Sequence, residues 1–127
     1  MTIEDIVLDD LERGDREEIL ISELEDGSGN PAVFSASDVL RWTAKRSRSD
    51  SDRVALYLKT STAGGITFTP GADNATVVIL PADHPTIPGD IEFLWDLQLT
   101  PGGDVTQTVT IAKGTGRVVG DVSSAAP

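Results

Sequence analysis

The chain has one histidine, His84, set in Asp83-His84-Pro85. Imidazole is the side chain best suited to moving protons near neutral pH, so acid–base or nucleophile-activating chemistry would centre there. A nucleophile triad also needs a hydroxyl, an acid and an oxyanion site, and no Gly-x-Ser-x-Gly turn is present. The neighbouring prolines place His84 in an exposed loop. Adjacent carboxylates recur as Asp9 with Asp10 and Glu17 with Glu18. Glycoside chemistry needs two carboxyls across a cleft in unlike environments, whereas neighbours on a strand point to opposite faces.

Glu25, Asp26, Ser28 and Asn30 offer oxygens within a glycine-rich turn, but the alternating acids, sixth-position glycine and twelfth-position glutamate of a calcium loop are missing. Gly114-Thr115-Gly116-Arg117 lacks the Gly-Lys-Ser/Thr of a phosphate loop and reads as a hairpin turn. Arg13-Gly14-Asp15 spells an adhesion tripeptide that carries no weight in a chain read as cytosolic. Trp42, Phe93 and Trp95 fall in the apolar phases of their segments and read as core, while Tyr57 falls in a polar phase and reads as exposed. A single ring is a poor sugar platform. No catalytic residue, metal or cofactor is expected.

Net charge is 10 − 21 = −11, which opposes general attraction to nucleic acid or anionic membrane. Residues 1–26 hold eleven acids against Arg13 and Arg16, whereas residues 41–59 hold Arg41, Lys45, Arg46, Arg48, Arg53 and Lys59 against Asp50 and Asp52. Such runs commonly serve only as solvated faces. The sharper expectation is docking, acid against base, between copies or onto a partner. Asp9, Asp10 and Glu12 then stand as candidate contacts opposite Arg41, Lys45, Arg46, Arg48 and Arg53. Cysteine is absent, which removes disulfides and thiolate metal sites. The acidic start Met-Thr-Ile-Glu-Asp and the short apolar runs argue for a soluble product made in the cytoplasm.

These residues must be positioned by strands. Residues 14–81 read as one continuous β-meander. Phe93, Trp95, Leu97 and Leu99 alternate with Asp96 and Gln98, and Val105, Gln107, Val109 and Ile111 alternate with Thr106, Thr108 and Thr110. A hairpin across Pro101-Gly102-Gly103-Asp104 joins the two. Leu40, Trp42 and Ala44 form one apolar phase, and Val54, Leu56 and Leu58 another, with the polar loop 46–52 between them. Residues 75–80 and 17–25 complete the strands. Residues 35–38 read as a capped turn, and residues 81–88 as a helical turn with Asp83 satisfying free amides. The Ile-Val-Leu run in residues 3–11 favours a strand, although Ile3, Ile6, Val7 and Leu11 also fall at helical spacing. Strands recurring about every ten residues predict an antiparallel β-sandwich over residues 1–122, with 123–127 a flexible tail. Residues 1–12 either join their own sandwich or act as an arm that swaps into another copy.

The order of segments resembles the N-terminal domain family of tailed-phage baseplate upper proteins over about residues 5–122. The resemblance rests on the acidic turn before Asn30-Pro31, Lys59-Thr60 with Gly64-Gly65-Ile66, Leu80-Pro81-Ala82-Asp83, and Trp95-Asp96-Leu97-Gln98-Leu99. It implies an immunoglobulin-like β-sandwich in a virion; the expected partners are other virion proteins and copies of itself, and charge and motif content lead to the expectation of no nucleic acid, membrane or cofactor. Family members anchor distal tail parts to a hub and often continue into a coiled coil or receptor-binding region. The chain's early stop favours capsid decoration or a neck accessory as an alternative, and a glycan-binding host-adhesion module is another. Phe34-Ser35-Ala36-Ser37 stands where relatives carry a Leu-Thr-Gly turn.

Overall fold

A computed structural model of the chain describes residues 5–12, 14–25, 30–47, 55–85 and 89–120. Its strands are β1 (Asp5–Val7), β2 (Leu11–Glu12), β3 (Glu17–Ile21), β4 (Val39–Lys45), β5 (Tyr57–Thr60), β6 (Ile66–Phe68), β7 (Ala75–Ile79), β8 (Ile91–Thr100) and β9 (Val109–Val119). They form a six-stranded sheet in the order β1-β9-β8-β4-β5, with β2 also on β9, and a three-stranded sheet in the order β3-β7-β6. The two short N-terminal strands run parallel to β9, and every other pairing is antiparallel.

This is an immunoglobulin-like β-sandwich, and the topology says so. The third strand pairs with the seventh and the fourth with the eighth, the exchange between sheets that defines this architecture, and β5 extends the larger sheet as in variable-type domains. The continuous meander expected over residues 14–81 is therefore corrected: β3, β6 and β7 belong to one sheet, β4 and β5 to the other.

Alternation builds the core. Along β8, Ile91, Phe93, Trp95, Leu97 and Leu99 are buried, while Glu92, Leu94, Asp96 and Gln98 face outward. On β4, Leu40, Trp42 and Ala44 are fully buried. Trp42 lies 6.3 Å from Trp95, 6.2 Å from Phe93 and 5.9 Å from Tyr57 between ring centroids, contacts worth about 0.5–1.5 kcal/mol each beyond burial. The Trp42 Nε1–H has no acceptor among the described residues, and its ring meets Phe93 at 87°. Leu97 is opposite Ala112 and Gln98 opposite Thr110, so Ile111 is the extra residue of a bulge; Ile111 and Ala112 are consecutive and both buried.

Four local expectations change. Val105 does not start a strand: residues Val105–Gln107 form a 3₁₀ turn because Asp104 Oδ1 accepts the Thr106 amide at 3.0 Å, leaving Val105 79% exposed. Residues 114–117 are not a turn but the middle of β9. Their glycines make room, since a Cβ on Gly116 would enter the Phe93 ring and one on Gly114 would enter the Ile6 backbone. Strand β3 stops at Ile21, two residues before Glu23 adopts a φ of 56°. Tyr57 is buried and Leu58 is 46% exposed, the reverse of the expected phase, because Tyr57 is in register with buried Ala44.

Two further turns match their sequences within the described residues, while most of the turn expected at 26–31 and of the loop expected at 46–52 lies outside them. Asp38 accepts the Ser35 amide at 2.9 Å, and Asp83 accepts the Leu80 amide at 2.7 Å beside the 3₁₀ turn Pro81–Asp83. No helix among the described residues is long and apolar enough to cross a membrane.

Candidate functional site

The polar groups with chemical potential hold the scaffold together. His84 is buried, not in an exposed loop. The Pro81–Asp83 turn folds its ring over Tyr57, where Nδ1 meets the Tyr57 hydroxyl at 2.9 Å and Nε2 lies 2.7 Å from the Asp15 carbonyl oxygen. Asp83 also pairs with the Lys59 ammonium. Burial pushes the Asp83 carboxyl up, but Lys59 and the Leu80 amide outweigh it and hold it below the usual value. Asp38 behaves alike: burial raises it, while the Ser35 amide, the Gly102 amide at 2.9 Å and the Ser35 hydroxyl lower it further. Asp38 thereby ties the turn at residues 35–38 to the connection between β8 and β9.

The surface with most character is the outward face of the large sheet. Cross-strand register places Glu92 opposite Arg117, Asp96 opposite Lys113, and Lys45 opposite Leu94. An open groove of about 520 Å³ runs along this face beneath the N-terminal segment. Val7, Leu8 and Leu94 give it apolar walls, and Asp10, Arg46, Glu92 and Arg117 give it a charged rim. Arg117 Nη2 donates to Asp10 Oδ2 at 2.7 Å; this bond holds the Asp10 carboxyl below its usual value and raises Arg117. A smaller hollow of about 200 Å³ lies beside it, lined by Thr43, Lys45 and Asp96.

Of the residues singled out by charge, Asp10 and Arg46 share the groove. Lys45 lines the adjoining hollow, and Arg41 is on the same face opposite Gln98 and Thr60. Asp9 and Glu12 are exposed, with the Glu12 amide donating to Glu17 Oε1 at 3.2 Å. Arg48 and Arg53 lie outside the described residues, as do Arg13, Asp26 and Ser28. Acid and base thus meet within one copy, through Asp10 and Arg117. Sequence reasoning missed Glu92, Lys113 and Arg117. The signal was their phase: each falls on the polar side of β8 or β9 once residues 114–117 are read as strand.

The two tryptophans, one tyrosine and three phenylalanines are all described, and none is exposed. A solvent-facing aromatic platform is not built. Among the described residues no group of histidine and carboxylate ligands converges on a metal position.

No family model matches this chain, and no curated protein matches it. Among solved structures it is similar to the ASH / PapD-like domain of human CEP192 (PapD-like domain 7), at 12% identity and a TM-score of 0.37, over 93% of this chain and 82% of that one.

Proposed function

We propose that this chain is a structural component of a tailed-phage virion, acting by protein–protein contact in the tail or baseplate region. The ordered series of segments that resembles the baseplate upper-protein domains supports this reading. So does the use of His84, Asp83 and Asp38 as internal ties, which leaves the sheet faces and edges to meet partners. The observation that carries it is the groove: apolar walls from Val7, Leu8 and Leu94 inside a rim of Asp10, Arg46, Glu92 and Arg117 have the composition of a contact patch with a polar border. A rigid module repeated around a symmetric particle turns a modest interface into a secure one.

The test is incorporation. Val7→Asp with Arg46→Glu changes the wall and rim without touching the core, and particles assembled with this variant are fractionated into tails and capsids. The expected result is wild-type chain co-migrating with tails and variant chain, still folded, left in the soluble pool. Full incorporation of the variant, or co-migration of the wild type with capsids alone, overturns the reading.

A further inference from the structure

A sandwich of this topology ends in four strand edges, and three of them are guarded against pairing with another chain. The β1–β2 edge is broken into pieces of three and two residues. Strand β6 has three residues and runs into Thr69-Pro70. Strand β5 carries Lys59, whose ammonium is held by Asp83. Short length, proline and lysine are the usual devices of this kind. Strand β3 has only carboxylates. Its five residues, Glu17–Ile21, contain no proline, glycine or lysine, and its register with β7 runs without a shift.

The Val78 amide donates to the Gly65 carbonyl at 2.9 Å, so Val78 and Thr76 turn their backbone toward β6, and Ala75, Val77 and Ile79 turn theirs toward β3. Glu17, Ile19 and Ile21 are the partners of that second set. The amides and carbonyls of Glu18 and Leu20 therefore point away from the sheet, and no backbone group among the described residues meets them. Leu20 is also 65% exposed. Carboxylates stand at both ends of this open edge, Asp15, Glu17 and Glu18 at one and Glu23 and Glu25 at the other, against the single cation Arg16. Arg16 pairs with Glu18 in the open, an ion pair of little net strength that a partner's cation can replace.

We propose that an extended, basic segment of another protein adds to this edge as a further strand. The backbone of Glu18 and Leu20 supplies the hydrogen bonds, and the side chains select the occupant. Aliphatic residues of the partner lie opposite Ile19, Leu20 and Ile21. Lysine or arginine lies opposite Glu17 and Glu18, and again past Ile21 on the side of Glu23 and Glu25. Opposite charges facing each other across a strand pair stabilise it, and like charges destabilise it. The same carboxylates turn acidic strands away. A second β3 laid antiparallel about Leu20 would set Glu17 against Glu23 and Asp15 against Glu25, so charge selects a basic partner over another copy. The edge belongs to the small sheet and the groove to the large one, which makes this a contact surface separate from that of the proposed function.

The isolated full chain tests it with end-capped peptides as probes, by calorimetry and residue-resolved amide exchange. The first probe is Lys-Lys-Val-Val-Val-Lys-Lys, whose symmetric pattern suits either strand direction. Its binding should slow exchange of the Leu20 amide, which is fast in the free chain, and should weaken as sodium chloride rises. The second probe is the same peptide N-methylated at its three valines. It keeps every charge but loses the amide hydrogens that reach the edge, so it should bind about tenfold or more weakly. Leu20→Lys, with an unchanged circular dichroism spectrum, should weaken the first probe by a similar factor. Failure of the first probe to bind overturns the proposal. Equal binding of the two probes does so too, since it would show only general attraction to an acidic chain. A Leu20 amide already slow in the free chain would mean that the edge is covered without a basic partner, and overturns it as well. Both probes are read on the wild type, so a Leu20→Lys chain that does not fold leaves the test intact. None of these results bears on the incorporation of the groove variant into particles, so this inference and the proposed function fail separately.

Discussion

The hydroxyl of Tyr57 and Nδ1 of His84 lie 2.9 Å apart inside the sandwich, 27 residues apart in sequence. The other ring nitrogen faces the Asp15 carbonyl, which can only accept, so Nε2 donates there, and in the neutral ring Nδ1 accepts from the tyrosine. One ring thus fastens the turn before β3 and the turn after β7 to the first residue of β5. Tyr57→Phe should cost about 1 kcal/mol and His84→Ala about 2–3 kcal/mol, with the double variant below the sum by about 0.5–1 kcal/mol. Urea denaturation measures all three; a His84→Ala variant as stable as wild type would remove the clasp from the account.

Asp38 gives a pH dependence with a defined sign. Its folded carboxyl is held below the ordinary value of 3.8, so its contribution is complete above that value and is lost as pH falls through the folded one. Asp38→Asn should cost about 1–2 kcal/mol at neutral pH, since it weakens bonds to a charged acceptor. The gap between variant and wild type should close in strong acid. A gap independent of pH would show that charge plays no part.

Gly116 and Phe93 should be coupled. A methyl at residue 116 enters the Phe93 ring, so Gly116→Ala should cost about 1–3 kcal/mol. Combined with Phe93→Leu, the loss should fall short of the sum by about 1 kcal/mol, because the smaller side chain vacates the contested space. Additive losses in a denaturation cycle would sink this explanation of the glycine.

The connection between β8 and β9 separates two residues that look alike in sequence. Val105→Thr should change stability by no more than about 0.5 kcal/mol, and Ile111→Thr should cost about 2–3 kcal/mol, since only Ile111 is buried. Equal losses would restore Val105 to a strand.

What could be read from the chain was the part written in side-chain alternation. Phe93 to Leu99 and Leu40 to Ala44 repeat with a period of two, so their strands, their inward faces and the all-β class were legible. Tyr57 and Leu58 were misphased because four residues give too little alternation to set a face, and register with Ala44 decided it instead. The Gly114–Gly116 pair imitates a turn locally, while its cause lies in Phe93 and Ile6, neither of which is close in sequence. His84 shows the same limit: prolines describe its neighbourhood, but Tyr57 and Asp15 determine its burial. The charged face was half legible. Net charge by segment found Asp10 and Arg46, and pairing across strands was needed to add Glu92 and Arg117.

The parallel alignment of β1 with β9, Asp5 beside Lys113 and Val7 beside Thr115, has a mechanical meaning. Tension drawing the beginning of the chain away from its end pulls these neighbours along their lengths in opposite senses. Their hydrogen bonds then lie across the direction of pull and share the load, whereas an antiparallel hairpin pulled from its open end gives way one bond at a time. The same geometry makes this short seam the place where a stretched module would first resist.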